Sequence, residues 1–124
     1  MKKKKRFEKW ANDVLKKAQK ILLLEHFTMG NIQFNKDKPE VSDCKFNYPY
    51  QTIKVRYSKC IYEDWEKKDY RAAIEVLIHE MCHPLTDGLY AKATSRYCTK
   101  DEVEDEREKL TDHIANILVK SNLI

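Results

Sequence analysis

The chain has 124 residues, a formal net charge of +4, and 42% hydrophobic and 35% charged residues. That balance excludes a disordered polyelectrolyte and leaves room for one domain with a modest core. The longest apolar run near the N-terminus, Ile21-Leu22-Leu23-Leu24, is too short for a membrane span or for the apolar part of a signal peptide. No membrane partner is therefore expected, and the expected location is the cytoplasm.

Two glycines and three prolines leave few tight turns, which favours helices with a small sheet and an α+β fold class. The chain opens on Lys2-Lys3-Lys4-Lys5-Arg6, read as a basic flexible tail of residues 1–6 ahead of one domain, 7–124. Such a run can attract nucleic acid or an anionic surface. No aromatic residues interleave it and no nucleic-acid fold signature follows, so a solubilising tail is the expectation.

From Phe7 to about His26 the spacing predicts a helix. Phe7, Trp10, Val14, Ala18, Ile21 and Leu22 recur at intervals of three and four with lysines between them. Gly30 and Asn31 interrupt, and Ile32-Gln33-Phe34 reads as a short strand. Lys45 to Tyr48 and Thr52 to Tyr57 alternate with period two, and a hairpin joins them through Pro49, Tyr50 and Gln51. The expected sheet is mostly antiparallel. Ser58 to Lys67 reads as a linker. Asp69 is the expected N-cap of a helix ending at or bending near Pro84, because proline lacks the N–H and restricts the residue before it. Residues 84–100 read as irregular. A last helix opens at Asp101, acidic in its first turn, and runs to about Lys120.

Four cysteines, Cys44, Cys60, Cys82 and Cys98, form no C-x-x-C pair, so they are expected as reduced thiols.

The chemistry concentrates in His79-Glu80-Met81-Cys82-His83, an H-E-x-x-H at the end of the apolar run Ala72 to Ile78. On a helix, positions i and i+4 share a face, so His79 and His83 can hold one metal ion with Glu80 beside it to handle a proton. A catalytic zinc needs a third protein ligand and an open fourth position. Thr86 and Leu89 stand where the extended pattern with a third histidine needs Gly and His, so the third ligand must come from farther on.

The last helix offers Glu102, Glu104, Glu106 and Glu108. A ligand helix must approach closely, which requires small neighbours on its face. From Glu108 the following positions on that face are Thr111, Asp112 and Ala115. Glu108 is thus the expected third ligand, with Asp112 as acceptor for the far nitrogen of a ligand histidine. Glu106 and Glu104 stay open as alternatives. His113, beside an apolar stripe, is read as a packed or surface residue.

His79-Glu80-x-x-His83 followed by Glu108-x-x-Thr111-Asp112-x-Ile114-Ala115 resembles the gluzincin pattern, and the short helix–sheet–helix–helix layout resembles minimal gluzincins and small phage or prophage metallopeptidases. The resemblance implies a zincin-like fold and zinc-dependent hydrolysis of a peptide or protein substrate. His79, His83 and Glu108 would hold Zn²⁺ and Glu80 would act as general base. Tyr90 or Tyr97 would be available to an oxyanion, and the strand Thr52–Tyr57 would offer an edge to extended substrate. Two other readings fit the motif: a metal-containing regulatory module of anti-repressor type, and a zinc hydrolase acting on a non-peptide bond.

Overall fold

A computed structural model describes residues 2–47, 50–93 and 99–121, with the backbone alone for 88–93. The order of elements is α1 (Lys3–Ile21), β1 (Thr28–Met29), β2 (Gln33–Phe34), β3 (Asp43–Asn47), β4 (Thr52–Tyr57), α2 (Lys59–Glu66), α3 (Tyr70–Ala93) and α4 (Lys100–Lys120). The α+β class read from the sequence is what the structure has.

α1 buries Phe7, Ala11, Val14, Leu15 and Ala18, one stripe at helical spacing. Its limits differ from those expected. It begins at Lys3 rather than Phe7, so Lys3 to Arg6 lie inside the helix instead of in a tail. Lys3 pairs with Glu66 of α2 at 2.9 Å. It also ends at Ile21, well before His26, because Leu23 adopts a left-handed conformation at φ 58°. The side-chain amide of Gln19 then donates to the carbonyls of Leu24 and Phe27 at 3.1 and 2.8 Å. That clamp turns the chain so that Leu24 and Phe27 enter the core, an apolar gain that continuing the helix would forfeit.

β4 is the centre of the sheet. Its partner β3 is antiparallel in the register Asp43↔Arg56 to Asn47↔Thr52, which agrees with the expected hairpin. The other edge of β4 differs from expectation. β1 and β2 lie end to end along it and both run parallel to it, at Thr28↔Thr52 and Gln33↔Arg56. The sheet is therefore mixed rather than mostly antiparallel. Each parallel pairing is only two residues long, too short to leave a periodic signal. Alternation along β4 sends Ile53, Val55 and Tyr57 inward.

The segment expected as a linker is a helix, α2. Ser58 caps it by accepting from the Ile61 N–H, and Tyr62 and Trp65 stack edge-on against Phe7 at 5.4 and 5.5 Å between ring centroids.

α3 is hydrophobic around most of its circumference because it is covered on both sides. Ala73, Leu77 and Met81 join the core under the sheet and α1, while Ile78 and Cys82 meet Ala115 and Leu118 of α4. Asp69 caps it as expected, accepting from the Ala72 N–H at 3.3 Å. Pro84 does not end it: the helix runs on to Ala93. Pro84 is fully buried, so packing of this turn offsets the backbone bond that proline cannot make. The expected irregular stretch 84–100 is thus helical up to residue 93, and residues 94–98, with Tyr97 and Cys98, lie outside the described residues.

α4 starts at Lys100, one residue before the expected Asp101, with Thr99 accepting from the Glu102 N–H at 3.2 Å. It buries Thr111, Ala115 and Leu118, a narrow stripe of mostly small side chains. Among the described residues no helix is long and apolar enough to cross a membrane.

Candidate metal centre

α3 carries His79 and His83 one turn apart on the side facing α4. Their Nε2 atoms lie 3.2 Å apart, with the ring planes at 80° to each other. α4 comes close because its contact face is small. Thr111 is fully buried, and its hydroxyl lies 2.9 Å from that of Thr86 on α3 while it also donates to the Arg107 carbonyl at 2.8 Å. This close approach brings Glu108 over the two imidazoles. Its Oε2 is 3.2 Å from Nε2 of His79, and its Oε1 is 3.8 Å from Nε2 of His83.

The other glutamates of α4 are directed elsewhere. Glu106 pairs with Lys109 at 3.4 Å and Glu104 with Arg107 at 3.8 Å. Glu102 and His113 are exposed. Of the four glutamates considered, Glu108 is the one the structure brings to the histidines.

The outer nitrogens of both histidines are held. Asp112 lies 2.6 Å from Nδ1 of His79, and Asp87 lies 3.0 Å from Nδ1 of His83. A carboxylate only accepts, so each Nδ1 is the nitrogen that donates to its aspartate, which makes Nε2 the nitrogen available to a metal. Asp112 stands where the sequence reading puts it. Asp87 falls in the stretch 84–100 that the sequence reads as irregular. Its signal was its position four residues after His83, on the same helical face, which becomes legible once the helix is known to pass Pro84. Arg107 is a further residue the sequence did not single out. Its guanidinium lies 3.1 Å from Oε1 of Glu108 and 3.7 Å from Asp87, and so ties a glutamate on one helix to an aspartate on the other.

Glu80 is 7% exposed, and among the described residues its carboxylate makes no hydrogen bond; its nearest ion-pair partner is Nε2 of His83 at 3.7 Å. Burial pushes its pKa up to about 7; His83 opposes this, while the negative charges of Glu108, Asp43 and Asp87 add to it. The pKa of His83 is raised as well. Burial works against its charged form, but the bond to Asp87 and the surrounding carboxylates outweigh that. Cys44 lines the same recess, and burial holds its thiol far above the ordinary range, so it is a neutral thiol rather than a thiolate. Cys44, Cys60 and Cys82 are free, as expected of reduced cysteines. The side chains of Tyr90 and Tyr97 lie outside the described residues.

The donor set was tested against a metal by its spacing and chemistry. One ligand atom each from His79, Glu80 and His83 lies within 4.8 Å of the others, a group able to hold a metal ion. Nε2 of His79, Nε2 of His83 and Oε2 of Glu108 meet at edges of 3.2 Å around His79. Tetrahedral zinc with bonds of about 2.0–2.2 Å sets neighbouring ligands roughly 3.3–3.6 Å apart. Glu80 and Glu108 thus both border the histidines; Glu108, 3.2 Å from His79 and 3.8 Å from His83, lies near that spacing and approaches from a second helix. With Nδ1 of each ring donating to its aspartate, a cation placed between the two Nε2 atoms and Oε2 of Glu108 would be met by three lone pairs.

No protein-family model, curated protein or solved structure matches this chain.

Proposed function

We propose that this chain is a zinc-dependent peptidase of zincin-like fold, with His79, His83 and Glu108 as the metal ligands and Glu80 as general base. The observation that carries the reading is the convergence of three lone-pair atoms from two helices, each histidine backed by its own carboxylate, beside a buried glutamate. A purely structural zinc site closes its coordination with four protein ligands and has no need of a general base.

Zinc in such a site supplies Lewis acidity, polarising the scissile carbonyl and making water a stronger acid. The chain's own residues do the rest. Asp112 and Asp87 keep the imidazoles in the tautomer that directs Nε2 inward. Arg107 holds Oε1 of Glu108, leaving Oε2 toward His79. Glu80, poised near neutrality by burial, takes the proton of the attacking water and hands it to the departing amine.

The expected edge for an extended substrate changes. β4 is paired on both sides, so Thr52–Tyr57 has no free edge to offer. Among the described residues β3 pairs with β4 alone, and Asp43 and Cys44 of β3 border the recess of Glu80 and the histidines. Substrate backbone is therefore proposed to add along β3.

The test is zinc content by mass spectrometry of the purified protein together with cleavage of a peptide library. About one zinc per chain and a Glu80→Gln variant that keeps zinc but loses activity by about 10²–10⁴-fold are expected. Absence of stoichiometric zinc, or undiminished cleavage by Glu80→Gln, overturns the reading.

A further inference from the structure

We propose that the cavity on the His79 side of the site receives a positively charged side chain, lysine or arginine, of the substrate. This rests on the peptidase reading and names the substrate class it implies. The cavity measures about 520 Å³ and opens onto Glu80 and His79. It lies one turn N-terminal of His79 on α3, between that helix and the segment leading into β3.

Its walls and rim are of two kinds. Val41, Val76 and Ala115 supply apolar surface along which the methylenes of a long side chain can lie. The partly exposed carboxylates of Glu40 and Glu75 stand at its rim, and among the described residues no lysine or arginine lines the cavity. The two rim acids do have partners. Glu75 pairs with Arg71 at 3.2 Å and Glu40 with Lys59 at 4.0 Å. Arg71 and Lys59 are both mostly exposed, and such surface pairs contribute little, so a substrate cation can displace them cheaply. Deeper in, the nearly fully buried Glu80 lines the same cavity with no hydrogen bond from the described residues. Glu80 shares its charge with His83 at 3.7 Å, and four of the residues lining the cavity are acidic: Glu40, Glu75, Glu80 and Asp112.

The Glu40 wall is fixed rather than loose. The fully buried Asn35 donates to the Val41 carbonyl at 2.8 Å and accepts from the Lys38 N–H at 3.1 Å. The Lys59 N–H reaches the Pro39 carbonyl at 2.9 Å, and the Ser58 N–H reaches the Ser42 hydroxyl at 3.1 Å. Glu40 thus sits on a braced segment, so a charge presented there is held in place.

The test has two arms. In the first, zinc-loaded wild-type protein cleaves a proteome-derived peptide library, and the cleaved sites are read by mass spectrometry. Lysine and arginine are expected to be enriched at one position beside the scissile bond. In Glu40→Gln/Glu75→Gln the ratio of cleavage at basic residues to cleavage at leucine and methionine falls about tenfold, and in Glu75→Lys the preference moves toward acidic residues. In the second arm, binding of two octapeptides that differ only in lysine against norleucine is measured by anisotropy on zinc-loaded Glu80→Gln protein. Tighter binding of the lysine peptide that is lost in the Glu40→Gln/Glu75→Gln background supports the pocket, even where the library goes uncut and the peptidase reading falls. Equal binding of the two peptides, or cleavage with no basic preference, overturns it.

Discussion

Asp112 accepts a hydrogen bond from Nδ1 of His79 at 2.6 Å, and this contact decides that the other nitrogen, Nε2, faces Glu108 at 3.2 Å. Asp87 does the same for His83 from within α3 itself. The two aspartates come from different helices, so the site's tautomers depend on how α3 and α4 pack.

Removal of Asp112 should therefore loosen the metal without unfolding the chain. Asp112→Ala is expected to weaken zinc binding by about 10–100-fold, the usual effect of losing a carboxylate behind a ligand histidine. Asp112→Asn keeps an acceptor and loses less. Competition with a chelating dye, with circular dichroism as the folding control, reads both variants; unchanged affinity in Asp112→Ala sinks the idea.

The choice among the α4 glutamates has its own test. Glu108→Ala should lower zinc affinity far more than Glu104→Ala or Glu106→Ala, whose side chains pair with Arg107 and Lys109 instead. Because a bound ion stabilises only the folded chain, EDTA should lower the melting temperature of the wild type and of the Glu104 and Glu106 variants, but hardly that of Glu108→Ala. A Glu106→Ala protein that loses zinc while Glu108→Ala keeps it assigns the third ligand to Glu106.

The helix contact can be probed at Thr111, which is buried against Thr86 at 2.9 Å between hydroxyl oxygens. Thr111→Val preserves shape but removes the nearest partner of the Thr86 hydroxyl, leaving it the longer contacts to the His83 carbonyl and Asp87 at 3.4 Å, and is expected to cost about 1 kcal/mol in urea unfolding. The double variant Thr86→Val/Thr111→Val should cost less than the two single losses added together, since both single changes break the same hydroxyl contact. Strict additivity would show that the two hydroxyls are not coupled.

Acid stability should depend on Asp43, which the Arg56 guanidinium engages with both oxygens across β3 and β4. That bond, against the opposing effect of burial, holds the carboxyl below its ordinary value of 3.8. A depressed folded-state value adds stability that is fully present above the ordinary carboxylate value and is lost as pH falls through the folded one. Urea midpoints measured downward from pH 7 should drop in that acidic window in the wild type. Asp43→Asn should start lower at pH 7 and show a shallower drop; an identical slope would refute the assignment.

How much was legible in the sequence varies with the range of the interaction concerned. α1, the β3–β4 hairpin and the caps at Asp69 and Thr99–Glu102 rest on neighbours a few residues apart, and their periods and polar caps are written locally. α2 was equally local, with Ser58 before Ile61 and Trp65, and was passed over because an eight-residue helix leaves little periodic signal. The parallel pairings of β1 and β2 and the passage of α3 through Pro84 are different in kind. They hold because distant parts of the chain bury the residues concerned, and no local pattern encodes that burial.

The sequence by itself determined that two imidazoles and a glutamate share one helix turn, because spacing of three and four on a helix is a matter of backbone geometry alone. It also narrowed the partner helix to one with a small face. Only the tertiary structure decided that Glu108 is the glutamate over the histidines, that Asp87 joins Asp112 behind them, and that β3 pairs, among the described residues, with β4 alone. Those outcomes turn on the close approach of α3 and α4 at Thr86 and Thr111, a contact between residues 25 apart in the chain.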